Sequence, residues 1–330
     1  MDNKNTSNQE ALSKQYLNNI IPGKILELPI EFISTGNMML DQEIGGGIPK
    51  SRITEVYGNE SCGKTTLTLQ IAKECTKQQK KVLYIDLEYS LDITYVKSLG
   101  INMDYFFVAH AKSGEVAFGM IEDALINQSF DLIVVDSVAA MVPEDEADNR
   151  IEDTNSALGS HARLMSRGVR KIQMSLSSSS TALIFINQVR EKIGVMFGNP
   201  ETTTGGKALR YYSSLRLEIK KIELIKNGQD KVGIKSKITI VKNKIAKPFG
   251  SAFINIYFGE GFDYTSDVLE YAVESGIIKK SGSWFSHNGT NVAQGINQLK
   301  AYANEHPEWF QEIKQTCLDN ISMTGKGSGD

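Results

Sequence analysis

RITEVYGNESCGKTTLTLQIAKECTKQ, residues 52–78, decides the fold. RITEVY (52–57) reads as a strand, a glycine-rich turn follows, and TTLTLQIAKECTKQ (65–78) reads as a helix. The turn is GNESCGKT: Gly58, Asn59, Glu60, Ser61, Cys62, Gly63, Lys64 and Thr65, with Thr66 next in the helix. It matches G-x-x-x-x-G-K-[ST] in the strand–loop–helix context that the pattern needs. The glycines let backbone N–H groups curl around phosphate oxygens, and the helix N-terminus adds the positive end of its dipole. In this reading Lys64 neutralises the β- and γ-phosphates of ATP and the Thr65 hydroxyl binds Mg²⁺. Cys62 is a small residue of the loop, with a thiol pKa open to lowering by Lys64 and the helix N-terminus.

Working outward, the same alternation of strand and helix continues. KVLYIDLE (81–88), FDLIVVDS (130–137) and TALIFINQ (181–188) are near-continuous apolar runs, and GEVAFGMIEDALINQ (114–128) is helical. Strands of that kind are covered on both faces, which predicts a mostly parallel sheet with helices on each side. Such sheets bind ligands at the carboxyl ends of their strands. Asp136 ends its strand there and, paired with the phosphate loop, supplies the carboxylate that holds the metal through water; alone it would read as a cap. Glu88 sits just past the end of its strand at that edge and is the candidate to orient or deprotonate water, against the plain alternative of a surface charge. Gln188 ends another strand, where an amide can sense a γ-phosphate.

Composition sets the class. The chain has 330 residues, 41% hydrophobic and 23% charged, as in an ordinary soluble globular protein. No apolar run approaches the ~18 residues of a membrane span. Cys62, Cys75 and Cys317 form no CxxC pair and fit a reduced cytosol, so a cytoplasmic location is expected. The scattered histidines carry no metal-ligand spacing. The net charge of −3 gives no global nucleic-acid signal, so any DNA contact has to come from local patches.

The pattern changes at about residue 208. LRLEIKKIEL (215–224) and KSKITIVKNKI (235–245) flank NGQD, a hairpin signal, and AFINIYFGEG (252–261) follows as an antiparallel extension of the sheet. The remainder is helix-rich with a short ribbon around GIIKKSGSWFSHNG (276–289). At the other end, residues 8–20 read as a short amphipathic helix closed by Pro22-Gly23. The expected organisation is therefore an N-terminal helix and linker for protomer docking (1–32), an ATPase core with its binding loops (33–261), and a small α/β domain with a flexible tail (262–330).

After Gln188 the chain enters a long loop, VREKIGVMFGNPETTTGG (189–206), in which Ile193, Val195, Met196 and Phe197 sit among turn residues. An apolar loop tip packs on a neighbouring surface in most proteins. In SHARLMSRGVRKI (160–172), Arg163, Arg167 and Arg170 recur on one helix face, a face that by itself would be a solvated one.

These motifs together resemble the bacterial-type RecA recombinases, encoded by bacteria or their phages. The resemblance runs from ISTG (33–36) to the C-terminal helices and is carried by GNESCGKTTLTLQIA, VVDSVAA, ARLMS, FINQVREKIGVMFGNPETTTGG and VKNKIAKPF. It implies a RecA-like P-loop core and an ATP- and Mg²⁺-dependent enzyme. It also implies helical filaments on single-stranded DNA, pairing with homologous double-stranded DNA, and strand exchange. It makes Glu88 the catalytic carboxylate and Gln188 the γ-phosphate sensor, and it matches Asp92 and Tyr95, in LDITY, to the adenine contacts. Lys242 and Lys244 match the pair that reaches ATP from the neighbouring protomer. The segment after Gln188 becomes the second DNA loop, with Gly205 and Gly206 at its end; there Arg190 and Lys192 can meet phosphates, and Ile193, Met196 and Phe197 can wedge against bases. The first DNA loop falls near residues 149–160, leading to Arg163 and Arg170 at DNA-contacting positions; Arg167 is an addition.

The chain departs from the family pattern in places. Asn59 and Cys62 stand where Pro and Ser are usual, DLEYSLD (86–92) stands for DAEHALD, and NRIEDTNSALGS (149–160) lacks the usual G-D-S-H-M-G. Two other readings share the fold: a hexameric helicase-like ATPase, which the intact GVMFGNPETTTGG segment argues against, and a non-hydrolysing nucleotide-binding regulator, which Lys64, Glu88 and Asp136 argue against.

Overall fold

The computed structural model describes residues 29–148, 159–191 and 201–326. By contacts the chain divides into two compact units, Met1–Glu31 and Phe32–Asp330, and every element below belongs to the second. The helix expected at residues 8–20 lies outside the described residues.

A small antiparallel pair, β1 (Phe32–Ile33) and β2 (Ile48–Pro49), leads into the main sheet. Its parallel strands are β3 (Ile53–Gly58), β4 (Val82–Asp86), β5 (Phe106–Ala109), β6 (Leu132–Asp136), β7 (Ala182–Glu191) and, beyond a short strand β8 (Glu201–Thr203), β9 (Leu215–Asn227). They lie in the order β5-β4-β6-β7-β3-β9. β10 (Asp230–Asn243), β11 (Ser251–Tyr257) and β12 (Gly261–Phe262) extend the sheet antiparallel past β9. The NGQD signal is the turn between β9 and β10, with Asn227 opposite Asp230.

Period-two alternation divides the strands between two cores. Val82, Tyr84, Leu132, Val134, Ala182 and Ile184 face the phosphate-loop helix Lys64–Lys77 with its Leu67 and Ile71. Leu83, Ile85, Ile133, Val135, Leu183 and Phe185 face the helices Gly114–Ile126 and Ser160–Ser177. Gly168 of the second helix lies against the Phe118 ring, where any Cβ would overlap it. Burial on both faces is why these strands read as continuous apolar runs rather than alternating ones.

β7 corrects the sequence reading. Gln188 is the last residue paired with β3, opposite Gly58, but the strand runs on to Glu191. Val189, Arg190 and Glu191 pair antiparallel with Thr203, Thr202 and Glu201. The base of the expected loop is thus a two-stranded ribbon, and the threonines that read as loop chemistry are β-branched partners within it.

The C-terminal part is a small domain with its own core. Helices Tyr264–Glu274, Ile296–Glu305 and Pro307–Lys326 surround a sheet of β13 (Lys279–Ser281), β14 (Trp284–His287) and β15 (Thr290–Gln294). Val268, Tyr271, Phe285, Leu299 and Ile313 fill its centre. The expected ribbon is three-stranded and extends past Gly289, where TNVAQ adds Ala293 to that core. Met38, from helix Met38–Ile44, inserts into the same cluster. Beside it the Asp267 carboxylate accepts from Met38 N (2.8 Å) and from Asn37 Nδ2. Burial pushes Asp267 well above the usual carboxylate range.

Candidate active site

Four strand ends meet at one edge of the sheet, and each brings a polar group out of an apolar run. β3 delivers the phosphate loop, and the helix that follows starts at Lys64 with Gly63 as its cap at φ 101°. At Gly58 a Cβ would strike the Ile219 carbonyl, and at Gly63 the Ile256 side chain, so neither position admits another residue without displacement. The Lys64 ammonium spans the loop, donating to the carbonyls of Gly58 (3.1 Å) and Asn59 (2.7 Å).

Cys62 turns inward rather than toward the ammonium. It is 1% exposed, and burial pushes its thiol up against the pull of Lys64. The expectation of a lowered thiol pKa is therefore corrected: desolvation outweighs the neighbouring charge.

Asp136 ends β6 and accepts through Oδ2 from Thr65 Oγ1 (2.9 Å) and from the Tyr84 hydroxyl (2.6 Å). Burial raises its carboxyl, and those two hydrogen bonds oppose the rise. The peptide from Asp136 to Ser137 is cis. Among the described residues no group of His, Cys, Asp or Glu is arranged to hold a metal by itself. One hydroxyl and one carboxylate, hard oxygen donors at the phosphate loop, fit a Mg²⁺ that keeps waters and takes its other ligands from a nucleotide.

Glu88 lies two residues beyond β4, in a turn that Asp86 builds by accepting from Ser90 N (3.4 Å) and Leu91 N (3.0 Å). Tyr89, at φ 55°, stacks on His110 at 4.7 Å and fixes the same turn from outside. Glu88 Oε1 accepts from Ser137 Oγ and from Gln188 Nε2 (3.3 Å). Gln188 Oε1 in turn accepts from Arg190 Nη2 (3.3 Å), so one polar chain runs from Glu88 into the ribbon. Ser137, Tyr84, Asp86 and Arg190 in this role were absent from the sequence reading. The signal available for two of them was a polar side chain inside an apolar strand: Tyr84 and Asp86 in VLYID.

Tyr95 OH lies 3.1 Å from Thr66 Oγ1, beside the phosphate-loop helix, while Asp92 caps its own short helix by accepting from Thr94 N (2.7 Å). Lys242 pairs across from Arg216, which is level with Glu55 early in β3, so it lies toward the opposite end of the sheet from the phosphate loop. Its ammonium donates to the carbonyls of Arg210 (2.8 Å) and Tyr211 (3.0 Å). Lys244 is exposed just past the strand. The chain's own phosphate loop and this lysine pair are therefore not brought together. Arg163, Arg167 and Arg170 are all exposed on helix Ser160–Ser177. Gly205 (φ 84°) is buried against Met165 and Val138, and Gly206 (φ 75°) is exposed at the foot of the ribbon. Lys192, Ile193, Met196, Phe197 and residues 149–158 lie outside the described residues.

A parallel sheet whose carboxyl edge joins a phosphate loop to two carboxylates on neighbouring strands belongs to the P-loop ATPases. Within that class the comparisons are specific. The chain matches the model of the RecA N-terminal domain over residues 10–263 and that of the RecA C-terminal domain over residues 266–322. It is 50% identical over 297 residues to Protein RecA of Malacoplasma penetrans, covering 90% of each chain. It is 49% identical over 303 residues to that of Ureaplasma parvum (92% of this chain, 90% of the relative). It is 44% identical over 308 residues to that of Aquifex aeolicus (93% and 89%). The crystal structure of the RadB recombinase shares the fold, with a TM-score of 0.53 and 24% identity over 70% of this chain and 98% of that one. The chain belongs to the RecA family. It is accordingly a DNA-dependent ATPase of recombination and DNA repair, and neither the helicase-like nor the non-hydrolysing alternative is favoured.

Proposed function

We propose that this protein polymerises on single-stranded DNA as a helical filament and exchanges strands with homologous double-stranded DNA, using ATP bound at the interface between protomers. The observation that carries the proposal is the chain Ser137–Glu88–Gln188–Arg190, because it joins the hydrolytic edge to the stem of the loop assigned to DNA. The backbone of Gly58–Thr65 and Thr66 cradles the phosphates, Lys64 neutralises them, and Tyr95 with Asp92 takes the adenine. When bound, Mg²⁺ supplies charge neutralisation at the β- and γ-phosphates, with Thr65 and, through water, Asp136 as its protein ligands. Glu88 holds and deprotonates the attacking water: its Oε1 is occupied by two donors, and no described residue donates to Oε2.

A γ-phosphate that engages the Gln188 amide reorients it, and so shifts its hydrogen bonds to Glu88 and Arg190. Arg190 and Lys192 then engage phosphates, and Ile193, Met196, Phe197, Gly205 and Gly206 complete the DNA surface with Arg163 and Arg170. Lys242 and Lys244 serve the neighbour's nucleotide, a role supported by their distance along the sheet from their own phosphate loop. The division 1–32, 33–261 and 262–330 is the domain plan that goes with this function, and the cytoplasm, at the nucleoid during repair or in the host of a phage, is its site of action. Electron microscopy with single-stranded DNA and a non-hydrolysable ATP analogue tests the proposal. Regular helical filaments that require both DNA and nucleotide are expected; discrete rings under all conditions would refute it.

A further inference from the structure

Tyr84 is fully buried in an otherwise apolar stretch of core, between Leu83 and Ile85. A phenol hydroxyl in such a place costs free energy unless it is bonded. Phenylalanine would pack the same volume without that penalty, so the partner of the hydroxyl is informative.

The partner is Asp136 Oδ2, at 2.6 Å, the same oxygen that accepts from Thr65. Register explains the reach. Tyr84 lies opposite Val134, and Asp86 opposite Asp136. Tyr84 and Val134 both contribute to the core beside the phosphate-loop helix, and Asp136, two residues after Val134, shares that side of β6. A tyrosine one pleat behind therefore extends forward to the carboxylate. Its ring is held against Phe106, with centroids 5.9 Å apart at 41°. No described residue donates to Asp136 Oδ1.

We infer that Tyr84 is a positioning residue for the divalent cation of the nucleotide. Its hydroxyl and that of Thr65 clamp Oδ2 from two directions, fix the rotation of the carboxylate, and leave Oδ1 for the hydration shell of the ion. The inference rests on the assignment of Asp136 to the metal-binding carboxylate.

Binding of a fluorescent ATP analogue to the full-length protein tests it, measured in EDTA and across a MgCl₂ series, with a thermal melt of each variant. Tyr84→Phe keeps the ring and its packing. Its melt is expected to remain cooperative and its metal-free nucleotide affinity to match wild type. The magnesium concentration giving half-maximal tightening is expected to rise about three- to tenfold, the factor that losing one hydrogen bond produces. An unchanged magnesium requirement would overturn the inference. So would an equal loss of affinity with and without magnesium, which marks a merely structural role. Asp136→Asn separates the two levels: if it leaves the magnesium dependence intact, the assignment of Asp136 fails, whereas loss in Asp136→Asn with wild-type behaviour in Tyr84→Phe defeats the role of Tyr84 alone.

Discussion

Glu88 is exposed, yet its position is determined by buried neighbours: Ser137, 1% exposed, bonds its Oε1, and the Asp86 carboxylate shapes the turn that carries it. Glu88→Gln removes the base while keeping an oxygen for those donors. ATP hydrolysis is expected to fall by about 10²- to 10⁴-fold, the usual worth of a general base, with ATP and DNA binding retained. Filaments of the variant should then outlast those of wild type in ATP; prompt disassembly would contradict the role. Cys62 gives an opposite kind of prediction. Enclosed and with its thiol pushed up, it should resist alkylation in the folded protein whether or not ATP is present, and rapid modification would show that the loop opens in solution. At this scale Lys64, Thr65 and Asp136 were legible because a motif or a strand end announces them. Ser137 and Tyr84 were not, since their roles depend on which residues the strand register sets side by side.

At the scale of elements, strands were readable wherever both faces are buried, because apolar runs carry that signal directly. The ribbon of β7 and β8 was not: Thr202 and Thr203 look like loop residues until Arg190 and Val189 are found opposite them. The ribbon is continuous with a core strand, and under the proposed function it is the stem of the DNA loop, through whose paired backbone a change at Gln188 would pass. Phe197→Ala, in the segment assigned to DNA, is expected to impair strand exchange and DNA-stimulated hydrolysis while sparing nucleotide binding. Strand exchange at the wild-type rate would show that the loop tip does not act on DNA. Helix Ser160–Ser177 carries the second surface that the proposed function assigns to DNA. Arg163→Ala or Arg170→Ala should lower affinity for single-stranded DNA and reduce the slope of log affinity against log salt by about 0.7 for each phosphate no longer neutralised. Arg167→Ala is the comparison, and an equal effect there would show the whole helix face acting as an unspecific basic stripe.

At the scale of the whole molecule, a polar seam runs beside the apolar contact that Met38 and Met39 make between the sheet and the small C-terminal core. Asn37 and Met38 bind Asp267, and Asp41 nearby accepts from Ser34 Oγ (2.6 Å) and from Thr35 N and Oγ1 (2.8 and 2.7 Å). Burial outweighs those bonds and pushes Asp41 up to about 6. A carboxyl raised in the folded state contributes stability that is complete below its unfolded pKa and is lost as pH rises through the folded one. The stability of wild type relative to Asp41→Asn should therefore decline from about pH 4 to about pH 6 and then level off; a difference that grows with pH over that window would reverse the assignment. The seam was invisible in the sequence, where Asn37 and Asp267 are far apart. The central claim concerns larger coupling, from ATP at the edge of the sheet to DNA on the ribbon loop. The rate of ATP hydrolysis with and without single-stranded DNA tests it most directly. The account predicts a low rate that single-stranded DNA raises many-fold; a high rate indifferent to DNA would contradict it.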